Sequence, residues 1–200
     1  MDLTLIALVF ATIFVVELPD KTFIAALVLS TRYRPLAVWV GVGLAFFVQT
    51  LIAVLAGHLA TYLPEVLVRS VALVIFLGGA VILFRSAPGA DEGEQQTEEE
   101  YAGKATHAHT GMKAVVASFL VLFAAEWGDL SQLLTISMIA KYGHPLSVFI
   151  GAWAALLTVS GLAVLAGRVL LRYIKLSTVH YVGSAVCLVL AGITAFELLS

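Results

Sequence analysis

Glu17-Leu18-Pro19-Asp20-Lys21-Thr22 stands about halfway along an apolar run, Leu3–Leu29, and returns as Glu126-Trp127-Gly128-Asp129-Leu130-Ser131 about halfway along another, Val115–Ala140. Acids in such a place are costly. A charge at the centre of a lipid-spanning helix costs about 2.5–3.5 kcal/mol, and a neighbouring Leu returns only a few tenths. A spacing of three puts each Glu/Asp pair on one helical face, about 60° apart around the axis. Four acids kept where lipid opposes them face a cavity and carry function rather than packing.

The rest of the chain agrees that lipid is its solvent. Of 200 residues, 61% are hydrophobic and 12% charged, against roughly 45–50% and 25% in soluble domains. Mean hydropathy is +1.03. Six runs suffice to cross a hydrocarbon core of about 30 Å: Leu3–Leu29, Leu36–Leu63, Val66–Phe84, Val115–Ala140, Leu146–Leu171 and Val179–Leu199. Pro35, Pro64 and Pro145 fall in the connections, where a missing N–H does least harm. The first run opens on Asp2 and is too long for the apolar region of a secretory signal. The lone Cys187 excludes an intramolecular disulfide and a thiolate metal cluster.

The motif repeat extends to whole halves. At an offset of 109 Tyr33 meets Tyr142; after one inserted residue Pro35-Leu36 meets Pro145-Leu146 and Gly41 meets Gly151. Ala53-Val54-Leu55-Ala56-Gly57 recurs letter for letter as Ala163-Val164-Leu165-Ala166-Gly167. These small-xxx-small pairs let helices approach closely. The expected architecture is all-α with six transmembrane helices: a three-helix repeat over 1–85, a flexible acidic linker over 86–111, and a second three-helix repeat over 112–200. An odd number of helices per repeat inverts the second copy, as in secondary transporters that bind substrate near the midplane.

The linker holds Asp91, Glu92, Glu94, Glu98, Glu99 and Glu100 and buries too little apolar area to order itself. His107 and His109 read as solvated rather than metal-binding. Counting Lys and Arg gives eight on the linker side (Arg32, Arg34, Arg85, Lys104, Lys113, Arg168, Arg172, Lys175) against Arg69 and Lys141. The excess predicts a cytoplasmic linker with both termini outside, in the plasma membrane.

Around the four acids only Lys21 is basic, so three negative charges need protons or a bound cation. Pro19 frees the carbonyl of Val15, Gly128 loosens its helix, and Thr22, Ser131 and Gln132 add oxygens. Such an all-oxygen set suits hard divalent cations such as Ca²⁺, Mn²⁺ or Mg²⁺ rather than Zn²⁺ or Cu⁺. Gln49, Thr50 and Ser160, inside the second and fifth runs, could complete the shell or bond their own helices.

The paired Glu-x-Gly-Asp-(Lys/Arg)-(Thr/Ser) pattern, one copy per three-helix half with an acidic loop between, resembles the family of the Golgi cation transporter transmembrane protein 165. The likeness spans essentially the whole chain. It implies a divalent cation/proton antiporter, with bacterial members looking like Mn²⁺ exporters. Carried over by position, the metal ligands are Glu17, Asp20, Glu126 and Asp129, with Lys21, Thr22, Ser131 and Gln132 beside them. Two positions depart from the pattern: Pro19 stands for the usual Gly, and Leu130 for a common basic residue.

The expected function is export of Mn²⁺, or of Ca²⁺, against protons, with the ion as substrate, no resident cofactor and no enzymatic chemistry. A cation channel and an exporter of small organic cations or amino acids use the same acids and stay open. Partners are the ion, protons and the lipid bilayer. No phosphate loop, nucleophile elbow, HExxH or nucleic-acid patch is present.

Overall fold

The computed structural model describes residues 1–18, 20–104, 111–173 and 176–199. Among them there is no strand. Nine helices follow one another: α1 (Leu3–Glu17), α2 (Lys21–Arg32), α3 (Pro35–Ala60), α4 (Glu65–Ser86), α5 (Ala90–Lys104), α6 (Met112–Ala125), α7 (Leu130–Tyr142), α8 (Pro145–Tyr173) and α9 (Leu176–Leu199). A 3₁₀ turn, Ala87–Gly89, joins α4 to α5. Pro35 and Pro145 each open a long helix at the position where a missing N–H costs least.

Four helices (α3, α4, α8 and α9) are long and apolar enough to cross a membrane, and there are up to six spans if α1–α2 and α6–α7 each count as one. These two runs, expected as continuous spans, are broken at the motifs, where the paired helices diverge by 71°. Sequence periodicity is blind to such a break because the apolar pattern runs through it. The expectation that each Glu/Asp pair shares one helical face is therefore corrected. Glu17 is the last residue of α1, whereas Asp20 caps α2. Likewise Glu126 caps the C-terminus of α6 and Asp129 the N-terminus of α7.

Packing relates the halves pairwise. α1 lies along α8 and α6 along α3; α2 contacts α8 and α7 contacts α3; α4 and α9 pack on each other. The glycines of the repeat set the approach distances. A Cβ at Gly151 would stand 2.7 Å from the Ile6 carbonyl oxygen, and one at Gly41 would overlap the Val115 carbonyl. Gly57 meets α7 in the same way, 2.8 Å from Cβ of Ile139. The indole N–H groups of Trp39 and Trp153 donate to the Leu157 and Gly43 carbonyls, each at 3.1 Å, tying α3 to α8.

The stretch expected as a flexible linker is helical over Ala90–Lys104 and docks on α2. Its composition hid this, because a helix with one buried aromatic and two alanines can dock on a neighbour without an apolar stripe of its own. Tyr101 supplies that anchor and belongs to the buried core. The expectations for Pro19, His107, His109 and Lys175 fall outside the described residues, as do those for the side chains of Lys104, Gly167, Arg168 and Arg172.

Candidate metal site

Both motifs fold into the same local device. In the first, the Leu18 N–H still closes the last turn of α1 on Phe14, and the Asp20 N–H donates to the Glu17 carbonyl at 3.1 Å. In the second, the Glu126 N–H closes α6 on Leu122, and the Asp129 N–H donates to the Glu126 carbonyl at 3.3 Å. Each Asp then starts the next helix as an N-cap, accepting from Lys21 N–H at 2.7 Å or from Ser131 N–H at 3.3 Å. Gly128 makes the second turn with φ of 79°, a left-handed conformation that an L side chain adopts only at a cost. Its N–H donates to Gln132 Oε1 at 3.0 Å.

The two devices meet. Glu17, Asp20, Glu126 and Asp129 each offer one carboxylate oxygen, and the four atoms lie within 4.8 Å of one another. Glu17 and Glu126 are 1% and 2% exposed, while the two aspartates are half-buried. The Thr22 hydroxyl donates to Glu17 Oε2 at 2.9 Å. Ser131, from the other half of the chain, lies close enough to interact with the Glu17 carboxylate. The remaining oxygens, Oε1 of Glu17 and Oε1 of Glu126, are buried without a hydrogen-bond partner.

Buried carboxylate oxygens are left unpartnered only at considerable cost, and a proton or a cation at this pair would remove that cost. At each break the C-terminal end of α1 or α6 meets the N-terminal end of α2 or α7, which is capped by its own Asp. A cavity of about 10 Å³ adjoins Glu126 and is lined by Gln49, Thr50, Ser131 and Gln132, among others. That is room for about one water molecule. The donors are carboxylate, hydroxyl and amide oxygens, which suit a hard divalent ion.

Of the auxiliary residues expected from sequence, Thr22 and Ser131 reach the acids. Gln132 and Gln49 line the adjoining cavity, where Gln49 Nε2 donates to the Phe123 carbonyl at 2.9 Å. Lys21 is exposed at the head of α2. Ser160 is turned away, donating to Leu157 of its own helix at 3.1 Å. Leu130, which stands where the pattern commonly has a basic residue, packs toward Gly79 of α4, beside Cys187 of α9.

One buried residue near the acids was not foreseen. Tyr101 of α5 is 3% exposed and lies close enough to Glu126 and Asp20 to feel their charge. The only hint in the sequence is an aromatic ring alone in a polar stretch.

A family model described as "Divalent cation/proton antiporter GDT1" matches residues 5–91 and 114–200, that is, both halves and not the stretch between them. The chain is 31% identical over 209 residues to the protein PAM71, chloroplastic, of Arabidopsis thaliana, covering 96% of this chain and 56% of that protein. A GDT1-like protein of Synechocystis is 31% identical over 175 residues, covering 84% of each chain. One from Schizosaccharomyces pombe is 28% identical over 215 residues, covering 86% of this chain and 75% of that one. The chain spans little more than half the length of the plant relatives. No solved structure matches it.

Proposed function

Because the chain belongs to the GDT1 family of divalent cation/proton antiporters, we propose that it exports a divalent metal ion, Mn²⁺ first and Ca²⁺ second, in exchange for protons. The observation that carries this reading is the pair of buried, unpartnered oxygens on Glu17 and Glu126, set in a four-carboxylate cluster. Either a divalent ion or protons can satisfy that cluster, but not both together, because one neutralises the charge that attracts the other. Mutually exclusive binding is what couples two fluxes.

Each half contributes one Glu, one Asp and one hydroxyl, so the ion is held at the seam between halves. In this scheme the halves lie inverted in the plasma membrane and rock against each other. The hinge points are the two breaks, between α1 and α2 and between α6 and α7, where a short turn joins each pair of helices. Metal entry releases protons, and protons returning from the more acidic outer side displace the metal. With the linker in the cytoplasm, that cycle runs as export.

The test is reconstitution into liposomes with a pH-sensitive dye inside and a panel of divalent ions outside. Proton flux that appears on adding Mn²⁺ or Ca²⁺, and stays silent with Mg²⁺ and with small organic cations, supports the proposal. Metal flux without proton movement makes the protein a channel and sinks it.

A further inference from the structure

Oε1 of Glu126 is buried without a hydrogen-bond partner, and the cavity of about 10 Å³ lies against that residue. Thr50 of α3 lines the same cavity and is 4% exposed. Its hydroxyl has no hydrogen-bond partner among the described residues. Buried threonines elsewhere in the chain satisfy themselves on the carbonyl four residues back, as Thr12, Thr135 and Thr194 do. Thr50 does not. Its neighbour Gln49 spends an amide N–H on the Phe123 carbonyl, which leaves the amide oxygen as an acceptor.

Packing does not demand this polar wall. In the other half, the positions matched to Gln49, Gln132 and Thr135 carry Val159, Phe23 and Ala26, all buried. Ser160, matched to Thr50, bonds its own helix. The repeat therefore duplicates the acids but keeps the polar wall in one copy.

We propose that Thr50 is a further positioning residue of the ion site: with Gln49 and Glu126 it holds one water molecule, which the bound divalent ion keeps as a ligand. This rests on the four carboxylates being the transport site. A polar cavity of this size takes about one water when two to four groups can bond it. Thr50, Gln49 and the bare oxygen of Glu126 are such groups. The ion also has need of it. Ca²⁺ takes about six to eight oxygens, and the four acids offer one ligand atom each. Mg²⁺ usually keeps several waters, so a cavity with room for about one selects against it.

Mn²⁺ bound to the purified protein is the probe, and electron–nuclear double resonance in ¹⁷O-labelled water reads whether the ion keeps a water ligand. The parent protein should show that signal. Thr50→Val, which swaps the hydroxyl for a methyl, should lose it and bind Mn²⁺ roughly tenfold more weakly. Thr50→Ser should retain both the signal and the affinity, and Ser160→Ala, at the matched position, should change neither. A parent protein whose bound Mn²⁺ carries no water, or a Thr50→Val protein that keeps it, overturns the proposal. If Thr50→Val does not elute as a folded species, Ala53→Val must abolish the signal instead, since it fills the cavity and leaves the hydroxyl in place. A parent protein that binds Mn²⁺ with its water but shows no metal-driven proton flux sinks the antiporter reading and keeps the water site. Failure to bind Mn²⁺ at all overturns both.

Discussion

The hydroxyl of Thr22, in the first turn of α2, donates 2.9 Å to Oε2 of Glu17, the last residue of α1. The bond spans the break in the first motif and orients a carboxylate whose other oxygen has no partner. A side chain fixed at one oxygen and bare at the other is preorganised: under the proposed function, the cost of holding it is met before an ion arrives. Ser131 reaches the same carboxylate from the second half, so Glu17 is where the two repeats touch chemically.

Thr22→Val therefore weakens ion binding rather than folding. Losing a hydrogen bond to a charged group costs about 1.5–3 kcal/mol, which corresponds to a roughly tenfold or greater rise in metal Kd by the usual conversion. Thr22→Ser should retain the bond and the affinity. Isothermal titration with Mn²⁺ or Ca²⁺ distinguishes them, and equal affinities for Val and Thr would remove Thr22 from the site.

Glu126→Gln and Glu17→Gln should abolish metal-dependent proton flux while leaving the protein folded, since each lowers the mutual repulsion of four carboxylates. Ion-induced thermal stabilisation reads this separately. A site binding only the folded state adds about 2.7 kcal/mol at a hundredfold excess over Kd. The parent protein should show that rise in Tm with metal, and the Gln variants should not. A full metal-induced shift in either variant would displace that glutamate from the ligand set.

Gly128→Ala tests the second break. A Cβ there meets nothing within 4 Å, so the penalty is conformational and not steric. With φ at 79° it comes to about 1–2 kcal/mol. The expected result is a modest fall in Tm with a larger fall in transport, because relief of the strain re-aims Glu126 and Asp129. An unchanged turnover would show that the left-handed turn is not needed to aim the acids.

Gly151→Ala should be more damaging to the fold, since its Cβ would stand 2.7 Å from the Ile6 carbonyl oxygen and 2.9 Å from Val9. Forcing α1 from α8 costs about 1–3 kcal/mol. Gly192→Ala is the control. Nothing lies within 4 Å of its Cβ, in the interior of α9, and the change should be neutral or slightly stabilising. Thermal unfolding in detergent compares the two.

The far end of α7 is fastened by Lys141, whose ammonium lies 3.3 Å from Glu197 and 3.0 Å from the Thr194 hydroxyl on α9. The lysine is buried and the glutamate about one-third exposed. Removing the glutamate strands a buried charge, whereas removing the lysine leaves a carboxylate that water can reach. Glu197→Ala should therefore lower stability more than Lys141→Met does. The reverse order, measured by thermal unfolding, would show that Lys141 is solvated in the membrane-embedded protein.

Much of this was legible in the chain itself. Apolar runs marked helices α3, α4, α8 and α9, since burying or lipidating some twenty consecutive residues leaves helix as the only backbone solution. The acids announced themselves by standing where charge is most costly. Gly57, in the first small-xxx-small pair, foretold a close helix crossing, and it meets Ile139 of α7. Tyr101 and α5 were not legible, because a docked polar helix and a solvated linker share a composition, and burial of one ring depends on a surface that only folding creates.

Sequence alone determined that the molecule is helical, membrane-embedded and duplicated, and that Glu17, Asp20, Glu126 and Asp129 are its costly charges. Those are one-dimensional facts, set by hydropathy along the chain. Tertiary structure decided that each motif breaks its helix, that the four carboxylates converge to within 4.8 Å, and that Thr22 and Ser131, but not Ser160, turn toward them. The reason is geometric. A pattern along the chain does not say which helices pack together; in the structure two 71° bends meet, and residues 109 positions apart share one site.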